Sequence, residues 1–260
     1  MTIITNVSVS PASTGLSIST SNVLIGITPT ITDTGTGEVA ANISDPDHSL
    51  NYTCGSSAAN FTVSYGAQTN ISYVGISGHN AATPAQATIQ LYNDATLIDS
   101  VVIKRNHNIM FTFPAQTFQD LKLVFITVPV TYQMTLSFIA AGQYLSISSG
   151  EQAGYKRAWL NRSTTQKTTT NLTVAPVAST VKSKSLKGSL SFPNQAALFT
   201  EGDWQDFIDF SFEQPFFIKE QASKPESSYL CFDPNHDIKA HSQTRELDAI
   251  MLKFTAYNGL

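Results

Sequence analysis

Two strand patterns joined by a glycine corner, within Tyr73–Asp94, constrain the fold more than any other stretch of this 260-residue chain. The first strand is apolar and ends at Ser77, where a Gly-His-Asn corner and a small polar loop follow. The second strand, Thr88–Tyr92, alternates apolar and polar residues. Such alternation is typical of an antiparallel sheet with one buried face. The stretch therefore predicts a β-sandwich, and because no catalytic cluster lies nearby it favours a binding or assembly protein over an enzyme.

Further strand patterns recur through the first half of the chain at roughly the 8–12-residue spacing of β-sandwiches. In the second half, Phe192–Ser211 is the one helical pattern. The spaced lysines of Val174–Ser191 suit a strand with a charged outer face, and an edge strand protected by lysine shows the same pattern. We therefore predict a mainly β protein, with a β-sandwich over residues 1–145 and a smaller β-rich domain with one short helix over residues 146–260. The strand patterns of the first half are Asn60–Tyr65, Ile71–Ser77, Ala87–Tyr92, Leu97–Ile103, Ile109–Phe113, Lys122–Thr127 and Met134–Ala140.

Charged residues are scarce, at 13% of the chain, about half of the roughly 25% found in average globular proteins. Short polar side chains take their place, as on surfaces that neighbouring subunits cover, since charge is depleted at interface cores. The formal net charge of −4 at pH 7 offers no footprint for nucleic acid. Residues 1–130 carry three Lys or Arg against seven Asp or Glu, whereas residues 131–260 carry twelve of each.

The termini and cysteines indicate a soluble protein made in a reducing cytoplasm. The N-terminus lacks the basic and apolar regions of a signal peptide, and no stretch approaches the ~18 apolar residues of a membrane helix. Cys54 and Cys231 lie far apart in apolar contexts and are interpreted as buried thiols. No metal-binding cysteine spacing is present.

The loop after Ser77 provides the first candidate site. No G-x-S-x-G nucleophile motif occurs there. His79, Asn80 and Thr83 are the candidate contacts for a glycan or a partner, since loops of sandwiches often carry the site. The alternative is structural, with His79 bonded to a loop carbonyl and Asn80 in a turn conformation.

Three other polar clusters point to no chemistry of their own. Asp45, Asp47 and His48 supply too few oxygen ligands for Ca²⁺. The acidic run Glu201–Glu213 suits the first turns of a helix better than a pair of catalytic carboxylates. His236 and His241, in a predicted polar loop, are not spaced for one helix face. We expect no catalytic residue, no metal and no cofactor.

An aromatic and basic cluster after residue 150 is the candidate assembly interface. Its residues belong to types that are enriched at interface hot spots. Burial inside the second domain is the alternative interpretation. The cluster comprises Tyr155, Arg157, Trp159 and Arg162.

Several of these strings resemble virion proteins of tailed bacteriophages. The segment Tyr73–Asn80, with its polar loop and alternating strand, resembles a galactose-binding, discoidin-like jelly roll. Segments Gly154–Arg162, Gln214–Ile218 and Tyr229–Phe232 resemble parts of tail-tip and baseplate proteins. The resemblance carries over no catalytic or ligand residue.

The resemblance implies a non-enzymatic structural component of a phage tail tip or baseplate, located in the virion and made in the host cytoplasm. Its implied partners are other tail or baseplate proteins and further copies of the chain, in a trimeric or hexameric ring. It leaves two roles open for the jelly roll, contact with host-surface glycan or decoration of the particle alone, and it implies neither nucleic-acid binding nor membrane insertion. The alternative is a stand-alone carbohydrate-binding module, and a glycan-cleaving enzyme is a third hypothesis.

Overall fold

The computed structural model describes residues 15–32, 39–47, 49–54, 60–82, 87–126, 134–147, 162–170, 176–240 and 247–257. The chain forms two compact units. The first comprises Met1–Gly150, Asp209–Leu230 and Asn258–Leu260, and the second comprises Glu151–Ile208 and Cys231–Tyr257. The segment Asp209–Leu230 is therefore grouped with residues that lie far from it in sequence. The predicted domain boundary after residue 145 stays a prediction.

The first half of the chain is built from short strands and one 3-10 helix, Ala40–Ser44. The strands are β1 (Leu16–Ser19), β2 (Thr30–Thr32), β3 (Tyr52–Thr53), β4 (Asn60–Ser64), β5 (Gln68–Ser77), β6 (Thr88–Asn93), β7 (Thr96–Val102), β8 (Ile109–Phe118), β9 (Leu121–Ile126), β10 (Thr135–Leu136), β11 (Phe138–Gly142) and β12 (Tyr144–Ile147).

Longer strands and two helices follow. They are β13 (Arg162–Thr170), β14 (Pro176–Ala196), α1 (Ala197–Glu201), α2 (Asp203–Glu213), β15 (Phe216–Lys219), β16 (Ser228–Ala240) and β17 (Leu247–Tyr257). The predicted mainly β fold with a short helical region is confirmed.

Two antiparallel sheets of the first unit enclose one core. A five-stranded sheet has the order β2-β4-β9-β6-β7, and a three-stranded sheet has the order β11-β5-β8. Leu91 and Phe125 from the larger sheet share the core with Val74 and Phe111 from the smaller one. Because strand side chains alternate between faces, each sheet buries one set of them against the other. This arrangement is the predicted β-sandwich.

Strand β5 is buried on both faces. Val74 lies in the sandwich core, whereas Tyr73, on the opposite face, packs in a second cluster with Phe138 and Phe217. Gly75 makes this packing possible, since a Cβ there would lie 2.5 Å from Cε2 of Phe217. Strands β1, β12 and β15 pair antiparallel in the same unit. Strand β15 therefore belongs to the first unit, although it lies in the second half of the sequence.

In the second unit, β14 pairs with β17 on one side and with β13 on the other. The sequence predicted a strand over Val174–Ser191, and β14 is that strand. The edge position that its lysines suggested is not the one observed, because β13 lies outside β14. Spaced lysines mark a solvated face as well as an edge, so the pattern alone does not separate the two positions.

The helices begin later than the sequence predicted. Strand β14 extends to Ala196, which pairs with Leu247, and so occupies the first residues of the predicted helix. Asp203 and Asp206 lie in the first turn of α2, where carboxylates are stabilised by the helix dipole. Among the described residues, no helix has the length and apolar character needed to span a membrane.

Candidate functional site

Two loops of the first unit form a cleft of about 590 Å³. One loop follows β7 and leads into β8, and the other joins β15 to β16. The volume lies within the range of roughly 300–1,000 Å³ that ligand sites usually occupy. The described residues that line it are Ser100, Val101, Val102, Lys104, Arg105, His107, Ser223, Lys224, Pro225, Glu226 and Ser227.

Glu226 holds the two loops of the cleft together. Its Oε1 accepts hydrogen bonds from the backbone N–H of Lys104 at 3.0 Å and of Arg105 at 3.4 Å. A further backbone bond joins Met110 N to the Pro225 carbonyl at 3.0 Å. These contacts connect positions about 120 residues apart in sequence, so the cleft exists only in the folded chain.

The second loop is also fixed by its own hydrogen bonds. The Ser227 hydroxyl donates to the Lys224 carbonyl at 2.7 Å and accepts from the Gln221 N–H at 3.0 Å. Glu220 N donates to the Ser227 carbonyl at 2.9 Å. A loop with this many internal bonds needs little further ordering when a ligand binds, which lowers the entropic penalty of association.

Cationic side chains dominate the charge of the cleft. Lys104, Arg105 and Lys224 are exposed, and none of them forms an ion pair with another described residue. Burial lowers the pKa of His107, and Arg105 adds to this effect, whereas Glu226 opposes it. His107 is therefore neutral at pH 7, and the cleft carries three cations against one carboxylate.

The Gly78–Asn80 corner, which the sequence singled out, lies beside the first loop and braces it. His79 is buried, and its Nε2–H donates to the His107 carbonyl at 2.6 Å. Its Nδ1 accepts from the Ala81 N–H at 3.3 Å. Burial lowers the pKa of His79 to about 4, so the ring is neutral and both nitrogens have partners. His79 is therefore bonded to a loop carbonyl, as the alternative, structural interpretation of the sequence predicted.

Asn80 has a similar bracing role. Its Oδ1 accepts from Thr135 N at 2.8 Å, which ties the corner to β10. Neither His79 nor Asn80 lines the cleft. Thr83 lies outside the described residues, so the glycan or partner contact of this loop stays a prediction.

The candidate assembly interface falls largely outside the described part of the chain. Tyr155, Arg157 and Trp159 are not described, whereas the backbone of Arg162 begins β13 and pairs with Leu186. An assembly role for these four residues stays a prediction.

The described members of the histidine and aspartate clusters take structural positions, whereas His48 and His241 lie outside the described residues. His236 lies in β16 and not in the predicted loop; its ring packs 5.9 Å from Trp204 and 5.5 Å from Phe207, measured between ring centroids. Asp45 Oδ1 accepts from Asp47 N at 2.9 Å, as in a turn. Within the described ranges, no group of three or more His, Cys, Asp or Glu side chains is placed to hold a metal ion.

The cationic loop was missed at the level of sequence, although one signal was available. Residues 1–130 contain three Lys or Arg, and two of these, Lys104 and Arg105, are adjacent in one loop between predicted strands. Their neighbours Lys224 and Glu226 come from a segment that the sequence analysis assigned to the other domain. The two halves of the cleft were therefore never considered together.

No protein-family profile matches the sequence, and no curated protein matches it significantly. Among solved structures, the chain is similar to a chitosan-binding module of a chitosanase/glucanase from Paenibacillus sp. IK-5 (18% identity, 47% of this chain and 99% of that one, TM-score 0.40). It is also similar to a fucose-binding module of Streptococcus pneumoniae (9% identity, 48% and 99%, TM-score 0.38). A third similar structure is the family 32 carbohydrate-binding module of NanJ from C. perfringens, solved with galactose (18% identity, 45% and 93%, TM-score 0.34).

Proposed function

We propose that this protein is a non-catalytic glycan-binding protein and that its first unit carries the binding site. The observation that supports the proposal is the fixed cleft between the loop after β7 and the loop after β15. Ligand sites on β-sandwiches commonly lie in loops that a rigid scaffold positions. Serine hydroxyls and charged side chains in the cleft offer the hydrogen-bonding groups that a polyhydroxylated ligand requires.

The composition of the cleft argues against glycoside hydrolysis. Canonical glycosidases use two carboxyl groups that flank the scissile bond. Among the described lining residues Glu226 is the single carboxylate, and two backbone N–H groups already occupy its Oε1. The proposed activity is therefore binding without turnover.

The test is a glycan array probed with the full chain, followed by an assay for newly formed reducing ends on every glycan that is retained. We expect retention of a defined subset of glycans and no release of reducing sugar. Failure to retain any glycan would contradict the binding function. Turnover that disappears on Glu226→Gln would instead make the protein an enzyme.

A second candidate function is a structural component of a phage tail tip or baseplate. The observation that favours it is strand β13, which ends the sheet of the second unit and presents nine residues of backbone along its outer side. An edge strand of this length is a template for pairing with another chain. Strands β16 and β17 of the same sheet also expose apolar side chains, namely Phe232, Ile238 and Met251.

Native mass and electron microscopy of the purified chain test this second candidate. A ring of three or six subunits supports an assembly role in which copies pair through β13. A chain that stays monomeric at high concentration and binds no tail protein contradicts it. Both functions hold together if the ring forms and the first unit also binds glycan.

A further inference from the structure

We propose that the cleft of the first unit is specific for acidic glycans, with Lys104, Arg105 and Lys224 binding the carboxylate or sulfate groups of the ligand. This inference rests on the proposed glycan-binding function and names its ligand class.

The positive charge of the cleft is not compensated by ion pairs among the described residues. Lys104 and Arg105 lie on one loop and Lys224 on the other, and all three are exposed. No ion pair within the described part of the chain neutralises them. The chain as a whole carries a net charge of −4, so this concentration of cations is local. An anionic ligand gains charge-assisted hydrogen bonds there that a neutral one does not.

Glu226 binds the backbone of the cationic loop and leaves the cationic side chains available to a ligand. Glu226 forms no ion pair with another described residue, and its Oε1 accepts from the backbone N–H groups of Lys104 and Arg105. These bonds fix the course of the loop while the side chains of both residues stay exposed to solvent. Glu226 therefore acts as a positioning residue that places the two cations at the rim of the cleft.

Hydrogen bonds from neighbouring residues hold the loop between β7 and β8 in place. The His107 carbonyl accepts from buried His79, and Asn106 Oδ1 accepts from Ala82 N at 2.8 Å. The loop is thus held by the Gly78–Ala82 corner on one side and by Glu226 on the other. Binding groups that are fixed before the ligand arrives lose less conformational entropy on binding.

The lining of the cleft favours acidic glycans over neutral sugars and over nucleic acids. The described lining of the cleft contains no Phe, Tyr or Trp. Aromatic faces are the platforms on which the bases of single-stranded nucleic acids stack, and they also offer apolar surface to flat ligands. Without them, recognition depends on hydrogen bonds and charge. A polyhydroxylated anion fits these requirements.

The experiment measures binding of the full chain to a panel of uronate-containing, sialylated, sulfated and neutral glycans, with single-stranded DNA as a non-glycan polyanion. The acidic glycan that is bound best is then titrated against three variants. In the double variant Lys104→Gln/Arg105→Gln, we expect affinity to fall at least about tenfold, as for the loss of two charge-assisted hydrogen bonds. Lys122→Gln, which removes the one other cation of residues 1–130, should leave affinity unchanged.

Glu226→Gln provides a readout that a merely structural role would not give. The amide oxygen keeps an acceptor for the two backbone N–H groups while the negative charge is lost. We therefore expect tighter binding of the acidic glycan with an unchanged thermal unfolding midpoint. All variants are checked by circular dichroism, since the substituted cations are exposed and their loss should leave the fold intact.

The outcomes separate the inference from the function on which it rests. Preference for neutral glycans, or affinity that is insensitive to the double variant, overturns acidic specificity and leaves glycan binding standing. Equal binding of single-stranded DNA overturns acidic-glycan specificity in favour of general polyanion binding. If no glycan on the panel binds, both the inference and the proposed function fail.

Discussion

In the first unit the buried side chains of His79 and Lys219 have hydrogen-bond partners, whereas in the second unit the indole nitrogen of Trp204 is buried with no partner among the described residues. Lys219 donates from Nζ to Thr112 Oγ1 at 2.9 Å. Trp204 is instead surrounded by rings, with Phe207 at 5.0 Å and Phe192 at 5.9 Å between centroids.

The difference lies in the surroundings of these particular buried side chains. Buried hydrogen bonds in the first unit fix loops in one geometry, because an unpaired polar group there is costly. Aromatic packing in the second unit contributes burial and ring contacts but orients no loop that lines a described cleft. The hydrogen bond of His79 thus supports a loop of the proposed cleft, whereas the described contacts of Trp204 are ring packing of the kind that Phe61 and Phe125 also show in the first unit.

Among the substitutions considered, one in the second unit should lower the free energy of unfolding the most. Replacing Trp204 by Ala should lower the free energy of unfolding by about 3–5 kcal/mol, because the cavity left by a buried aromatic ring is large. Trp204→Phe is the matched control; it keeps a ring and removes the unpartnered N–H, so its loss should be clearly smaller. Urea denaturation measures the loss, and hydrogen exchange locates it in β14 and β17. A loss below about 1 kcal/mol for the Ala variant would contradict the role of the cluster.

The next effect distinguishes, by its pH dependence, the two histidines whose pKa is lowered to about 4. The pKa of His79 is lowered to about 4 in the folded chain, from 6.5 when exposed, chiefly by burial. The unfolded chain therefore binds the proton first as the pH falls. Titration of His79 leaves the free energy of unfolding unchanged above about pH 6.5. As the pH falls from 6.5 to below 4, it lowers the free energy of unfolding by about 3 kcal/mol in total.

His236 also has its pKa lowered to about 4 by burial, but it is only partly buried and its contribution should be smaller. NMR titration of each ring, with urea denaturation of the full chain at several pH values, measures both effects. A His79 ring that titrates near 6.5 would show that the loop is not braced as described.

A smaller effect compares close packing in the two units. A Cβ at Gly75 would lie 2.5 Å from the Phe217 ring, and one at Gly188 would lie 2.2 Å from the Phe254 ring. Gly75→Ala and Gly188→Ala should each destabilise the chain by about 1–3 kcal/mol, as overpacking does. Adding Phe217→Leu should recover part of the first loss and none of the second. Equal recovery in both variants would mean that the two packing sites are not independent.

Much of the sandwich could be predicted from local sequence patterns. Thr88–Tyr92 alternates in the sequence, and β6 alternates half-buried and buried positions from Thr88 to Leu91. The prediction of buried cysteines is confirmed for Cys54 and Cys231. These features depend on the period of a strand and on side-chain type, both of which are visible in one short window.

Strand order and the cleft depend on long-range pairing and could not be predicted in the same way. Spaced lysines such as Lys184 and Lys187 suit an edge strand and the solvated face of an interior strand alike, so the pattern does not give the position of β14 in its sheet. Glu226 meets the backbone of Lys104 across 122 residues of sequence. Neither short window contains that contact, and only the folded chain brings the two loops together.

The proposed function places a bound glycan in the cleft between the loops at 100–107 and 223–227. It is tested most directly by amide NMR spectra of the full chain during titration with the best-bound glycan. We expect the largest shifts on the backbone amides of Lys104, Arg105 and the non-proline residues of 223–227, with little change in β14 and β17. Shifts concentrated in the second unit, or none at saturating glycan, would contradict it.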